Sequence, residues 1–158
     1  MKIQKGAIQS PDKAYRYALW RIWDATKPMA FFIILNPNEK DENEDDATIL
    51  KCIALAEKEG FGGVIIGSLF ALRTEDPNIF LNHKDPIGPD NNAVLKKFAG
   101  QAFRTIAVWG SRGTYMDRHD TIMRTLPNLH CYGMTKNGQP IHALSVPDDA
   151  ELKAIRVE

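Results

Sequence analysis

Three apolar runs set the frame for this chain: Ala30 to Leu35 (AFFIIL), Val64 to Gly67 (VIIG) and Thr105 to Trp109 (TIAVW). Each is unbroken rather than alternating. A strand needs apolar side chains at every position only when both of its faces are buried, the situation of parallel strands covered by helices on both sides. Each run also ends in a turn marked by proline or glycine, at Asn36-Pro37, at Gly67-Ser68 and at Gly110-Ser111-Arg112-Gly113.

Helical patterns lie between the runs. Ala47 to Glu59 places Ile49, Ile53 and Ala56 on one stripe, with Asp45 or Asp46 as cap and Gly60 as stop. A second helix starts at a cap on Asp90 and passes through Val94, Leu95 and Phe98 to about Ala102; a third runs from about Tyr115 to Thr125. The connection from Ser68 to Pro89 holds one short helix near Asn78 to Leu81, and Leu129 to Tyr132 forms a fourth strand. This alternation predicts an α/β fold: a three-layer α/β/α sandwich on a four-stranded parallel sheet with right-handed crossovers. Tyr15 to Trp23 alternates, with Tyr15, Tyr17, Leu19, Arg21 and Trp23 on one side, and reads as an N-terminal edge strand or hairpin arm. Lys136 to Gln139 reads as a turn and Pro147 to Ile155 as a closing surface helix.

A chain of 158 residues fits one domain, 1–158, large enough to hide roughly 68–70% of its unfolded surface. No apolar run approaches the ~18 residues of a membrane span. The start, Met1-Lys2-Ile3-Gln4-Lys5-Gly6, lacks the apolar core of a signal peptide, so the expected compartment is the cytoplasm. Cys52 and Cys131 match no metal spacing and read as small buried hydrophobes. The acidic cluster from Glu39 to Asp46 lacks the glycine and terminal glutamate of an EF-hand and reads as a solvated loop. No metal or cofactor is expected. Twenty basic residues balance twenty acidic ones, which disfavours tight, sequence-independent duplex binding and favours a small or single-stranded ligand.

Ligands of open parallel sheets bind beyond the carboxyl ends of the strands. Asn36, after the first run, offers both a donor and an acceptor to a water or a base edge; alternatively it opens a turn that Pro37 stiffens. Arg73 could clamp a phosphate or carboxylate with its guanidinium fork, or pair structurally with Asp45, Asp46 or Asp76. Gly110 to Gly113 leads into a helix N-terminus suited to an anion, yet no Gly-Lys-Ser/Thr follows as in a Walker loop, and a plain turn also fits. His142 could donate to a developing anion or shuttle a proton, or act as a structural hydrogen-bonder. Trp20, Phe70 and Trp109 are available aromatic faces for a base.

Several strings resemble an uncharacterised family of short bacterial and phage proteins: Leu35-Asn36-Pro37-Asn38, Asp45-Asp46-Ala47-Thr48, Gly60-Phe61-Gly62-Gly63, Leu69 to Arg73, Asp85 to Asn92 and Trp109-Gly110. More distantly, Ile34-Leu35-Asn36-Pro37 resembles the Gly-x-Asp/Asn-Pro motif of the uracil-DNA glycosylase superfamily. His142-Ala143-Leu144-Ser145 is similar to its late His-Pro-Ser-Pro motif. The leading glycine is replaced by Ile34, and both prolines of the second motif are missing. This resemblance implies an enzyme that cleaves an N-glycosidic bond of a uracil-type or modified base in single-stranded nucleic acid or a nucleotide. Asn36 would position water and His142 would stabilise the departing base, with Pro37, Phe70, Arg73, Trp109 and Gly110 binding substrate. Two other readings stand beside it. One is a non-catalytic nucleotide or nucleobase binder using Arg73 and the Gly110 turn. The other is an interaction module docking a partner on its aromatic N-terminal strand.

Overall fold

In the computed structural model, residues 2–155 are described and form one seven-stranded sheet with helices on both faces. The strands are β1 (Gln4–Gln9), β2 (Arg16–Ile22), β3 (Met29–Ile34), β4 (Gly63–Ser68), β5 (Arg104–Ala107), β6 (Leu129–Cys131) and β7 (Lys153–Ala154). Their spatial order is β1-β2-β4-β3-β5-β6-β7. The middle four, β4-β3-β5-β6, are parallel and correspond to the three apolar runs and the fourth expected strand. The outer three add antiparallel edges, so the sheet is wider than the sequence suggested.

The unbroken runs are explained by two cores. Phe32, Ile34, Val64 and Ile66 pack under α1 (Ala47–Lys58), against Ile49, Cys52, Leu55 and Ala56. Phe31, Ile33 and Ala107 point the other way, toward Phe80 of α2 (Pro77–Asn82), Leu95 and Phe98 of α3 (Asn91–Gln101) and Ile122 of α4 (Arg118–Thr125). Each fully buried aliphatic or aromatic side chain here contributes roughly 1.5–3 kcal/mol. Asp46 caps α1 by accepting from the Ile49 amide, and Gly60 leaves it at φ +83°. Among the described residues no helix is long and apolar enough to cross a membrane.

Four expectations need correction. First, of the two readings of β2 it is the hairpin arm and not the edge strand that the fold contains: β1 pairs antiparallel on one side and β4 on the other. A bulge between Ile8 and Gln9 of β1 leaves Tyr17 as an extra residue, which breaks the expected alternation. Tyr17 packs at Gly88, while Arg16 shares a small cavity with Leu19 on the α1 side. Tyr17 is 3% exposed, and no row of Tyr15, Tyr17 and Trp23 faces solvent, so docking on this strand has no free edge to use. Second, Pro147 to Ile155 is not helical. A short segment gains little as an isolated helix, whereas β7 pairs with the otherwise open β6 and the Ile155 amide donates to Leu129.

The third correction concerns the helix expected from Tyr115. Residues Ser111–Asp117 form a 3-10 turn interrupted at Tyr115 and Met116, and α4 starts only at Arg118. Fourth, Asp90 stands before α3 but its side chain makes no capping bond; the Asn91 side chain is buried instead, and its Nδ2 donates to the carbonyls of Ser68 and Leu69.

Candidate functional site

Beyond the carboxyl ends of β3 and β5 lies a cleft of about 370 Å³. Asn36, at the end of β3, and His142, after β6, both line it. The fold therefore brings together the two residues that the sequence singled out.

The Asn36 amide has one orientation. Its Nδ2 donates to the carbonyls of Thr74 (2.6 Å) and Pro37 (3.1 Å), and only an NH₂ group can satisfy two carbonyls. Oδ1 is the remaining polar atom of this half-buried, cleft-lining side chain and accepts no hydrogen bond among the described residues. Pro37 itself lines a neighbouring cavity of about 20 Å³, and its carbonyl also accepts from the Thr74 amide. Its part is to anchor Asn36 rather than to touch a ligand in the cleft.

His142 is equally fixed. Its Nδ1 accepts from the Leu144 amide at 3.1 Å, so in the neutral ring the proton sits on Nε2. Burial pushes its pKa below the ordinary 6.5, against a smaller upward pull from the Asp46 carboxylate. The strand and turn before it supply the support: Ile141 donates to Gly133, Met134 bridges to Pro140, and Gly138 turns the chain at φ +75°.

Gly110 works through space rather than charge. Its amide is already bonded to Pro140 at 3.0 Å, leaving no donor for an anion. Its backbone, at φ +81° and ψ −174°, lies in a region nearly exclusive to glycine, and a Cβ there would lie 3.2 Å from His142 Cβ. Gly110→Ala is therefore expected to cost about 1–3 kcal/mol in urea denaturation. It should also displace the His142 ring, visible as shifted imidazole resonances; an unchanged midpoint would contradict this contact.

Other expected contacts are not at the cleft surface as imagined. Trp109 lines the floor, but it is 1% exposed, its Nε1 donates to Gln139 Oε1 at 2.9 Å, and Gly113 covers its ring. Phe70 is fully buried, edge-on to Phe80 at 4.4 Å, because the chain turns into the α2 layer straight after β4. Trp20 lies across Gly6 in the hairpin. Phe70 and Trp109 offer no open stacking face, and Trp20 does not line the cleft. Arg73 does not line the cleft and, among the described residues, pairs with no carboxylate. It donates to the carbonyls of Asn38, Glu39, Lys40 and Lys13, tying the acidic loop to the body of the fold. Asp45 is held instead by the buried Arg21 at 2.8 Å.

The cleft also contains residues that sequence reasoning passed over: Asp46, Thr48, Thr74, Ser111 and Arg112. Asp46 had been accounted for as a cap, and it is one, through Oδ1. A carboxylate has a second oxygen, and Oδ2, bonded to Asn38, sits where α1 opens onto the cleft. The signal was available in Asp46-Ala47-Thr48, since the first turn of a helix that follows β3 must start at the same rim as Asn36.

No curated protein matches the chain significantly. Among solved structures, the crystal structure of a candidate hydrolase from Agrobacterium vitis S4 is similar at 20% identity with a TM-score of 0.38. The match covers 72% of this chain and 42% of that one, so this chain spans less than half the length of that protein. The family described as "Protein of unknown function (DUF1643)" matches residues 16–144, a stretch that runs from β2 past His142 and contains every cleft residue named above. The chain belongs to that family.

Proposed function

We propose that the cleft hydrolyses the N-glycosidic bond of a uracil-type or modified base carried by a nucleotide or a single strand. The observation that carries this reading is that an acceptor-bearing and a donor-bearing side chain line one cleft. Asn36 presents an acceptor whose amide nitrogen is tied down, and neutral His142 presents an Nε2–H donor. The order of the two motifs along the chain resembles that of the uracil-DNA glycosylase superfamily, with Asn36 following β3 and His142 opening the 3-10 turn Ala143–Ser145.

In the reaction the C1′–N bond breaks and its electron pair leaves with the base. The His142 Nε2–H donates a hydrogen bond to the base as negative charge develops on it. A neutral imidazole suits this task, because it stabilises the anion without needing to be protonated first. The sugar becomes cation-like, and the Asp46 carboxylate in the same cleft opposes that charge. Asn36 Oδ1 accepts from a water and aims it at C1′. An amide is too weak a base to activate water early, which fits a late attack on an already formed cation. In sum, water gives OH to C1′ and H to the base.

The pH dependence follows from His142. Its neutral form persists below 6.5, so the acidic limb of kcat/KM is expected below the ordinary histidine value. Asp46→Asn removes the one influence raising that pKa and keeps an oxygen for the Ile49 amide but not for Asn38, so the limb should move further down at a stability cost of about 0.5–1.5 kcal/mol. A limb at or above 6.5 would contradict the neutral-donor role.

The reading is tested by incubating the wild-type protein with uracil- and modified-base-containing single strands and with free nucleotides, and separating any free base. Release of base supports it. Binding of a nucleotide without release from any substrate transfers the site to the non-catalytic binder.

A further inference from the structure

We infer that the natural ligand is a free nucleoside 5′-monophosphate rather than a nucleic-acid strand, and that Arg112 is its single phosphate contact. This rests on the glycosidic reading above and names its substrate class.

The cleft has a second lobe. A cavity of about 120 Å³ shares Leu35, Asn36, Thr74 and Arg112 with the main space and is closed by Phe80 of α2. Asp46 and Thr48 belong to α1, on the opposite face of the sheet from α2. The two ends thus differ chemically. One carries the Asp46 carboxylate, a threonine hydroxyl and the imidazole; the other carries the Arg112 guanidinium beside the Glu75 carboxylate. A ligand with a base at one end and an anion at the other matches that polarity, and the main cleft alone reaches the roughly 300–1,000 Å³ of small-molecule sites.

Arg112 is uncommitted where other arginines are not. Arg16, Arg21, Arg73 and Arg118 donate to backbone carbonyls, Arg124 pairs with Asp120, and Arg104 lies over Phe103. Arg112 makes no hydrogen bond or ion pair within the described residues and is exposed at the rim. Among the described residues it is also the one arginine or lysine lining either lobe, whose linings include the carboxylates of Asp46 and Glu75. Strand-binding grooves track several phosphates with basic side chains. A single cation supplies one charge-assisted contact, enough for one phosphate, and the carboxylates lining the two lobes disfavour a longer polyanion.

The test supplies each common base in three forms, as nucleoside, as 5′-monophosphate and within a single-stranded oligonucleotide, to the wild type and to Arg112→Gln. Arg112 is exposed and unbonded, so the variant is expected to fold. A charge-assisted contact of about 1.5–3 kcal/mol predicts kcat/KM about 10–100-fold higher for the monophosphate than for the nucleoside. The oligonucleotide should be the poorer substrate, and the ratio should fall toward one in Arg112→Gln. Base release that favours the oligonucleotide, or a ratio that the variant leaves intact, overturns the inference while leaving the glycosidic reading standing. If no base is released, that reading fails and calorimetric binding decides. Tighter binding of a monophosphate that is lost in Arg112→Gln sustains the ligand class, and equal or absent binding overturns it.

Discussion

Replacing His142 with alanine is expected to lower base release by about 10²–10³, the usual consequence of deleting one oriented donor to a developing anion. The size follows from what the ring does. Nδ1 is occupied by the Leu144 amide, so the imidazole cannot swing or change tautomer at low cost, and in the proposed reaction its donor needs no reorientation as the anion forms. The same bond limits the structural damage: losing one acceptor at a short 3-10 turn, Ala143–Ser145, should cost only about 0.5–1.5 kcal/mol. Rate and stability therefore separate. A variant with a small rate loss, or one whose rate loss is matched by unfolding, would remove His142 from the chemistry.

The largest stability effect is expected at Arg21→Ala. This guanidinium is fully buried in β2 and makes three kinds of contact: Nε with Asp45 at 2.8 Å, Nη1 with the Trp20 carbonyl at 2.8 Å, and Nη2 with the Glu42 carbonyl. Removing it leaves Asp45 uncompensated except by Lys5 at 3.8 Å, and leaves the loop backbone without its donor. Breaking one side of a buried pair costs about 3–5 kcal/mol, and the partial exposure of Asp45 places this case near the lower end. Urea denaturation would show this as a lower midpoint at constant slope. A loss under about 1 kcal/mol would mean that the loop holds itself. The change also reaches the cleft, because Arg21 and Arg73 together fix the loop that delivers Asp46 to α1.

The parallel core was legible because its signal is local. β3, β4 and β5 bury both faces whatever their partners, so Phe31 and Phe32, pointing to opposite layers, are both apolar. From that, the rule placing ligands beyond strand ends selected the rim that holds Asn36, Gly110 and His142. The unreadable parts depend on distant neighbours. Gln4–Gln9 carries little strand signal and becomes β1 because β2 offers an edge and Gly6 lets Trp20 lie flat. Lys153–Ala154 becomes β7 for the sake of β6. Phe70 and Trp109 stand just after strand ends, as rim residues do, and only the fold shows that Phe80 and Gln139 enclose them. Arg73 was paired with carboxylates from charge alone, whereas the loop presents its carbonyls.

The central claim is that water attacks C1′ in a cleft where Asn36 and His142 act on one substrate. It is tested most directly by running the reaction with a nucleotide in ¹⁸O-labelled water and analysing both products by mass spectrometry. The account predicts unlabelled free base and a sugar phosphate carrying one ¹⁸O at C1′, with both products lost in Asn36→Ala and in His142→Ala. Label in inorganic phosphate or in the base, or products that persist unchanged in both variants, would contradict it.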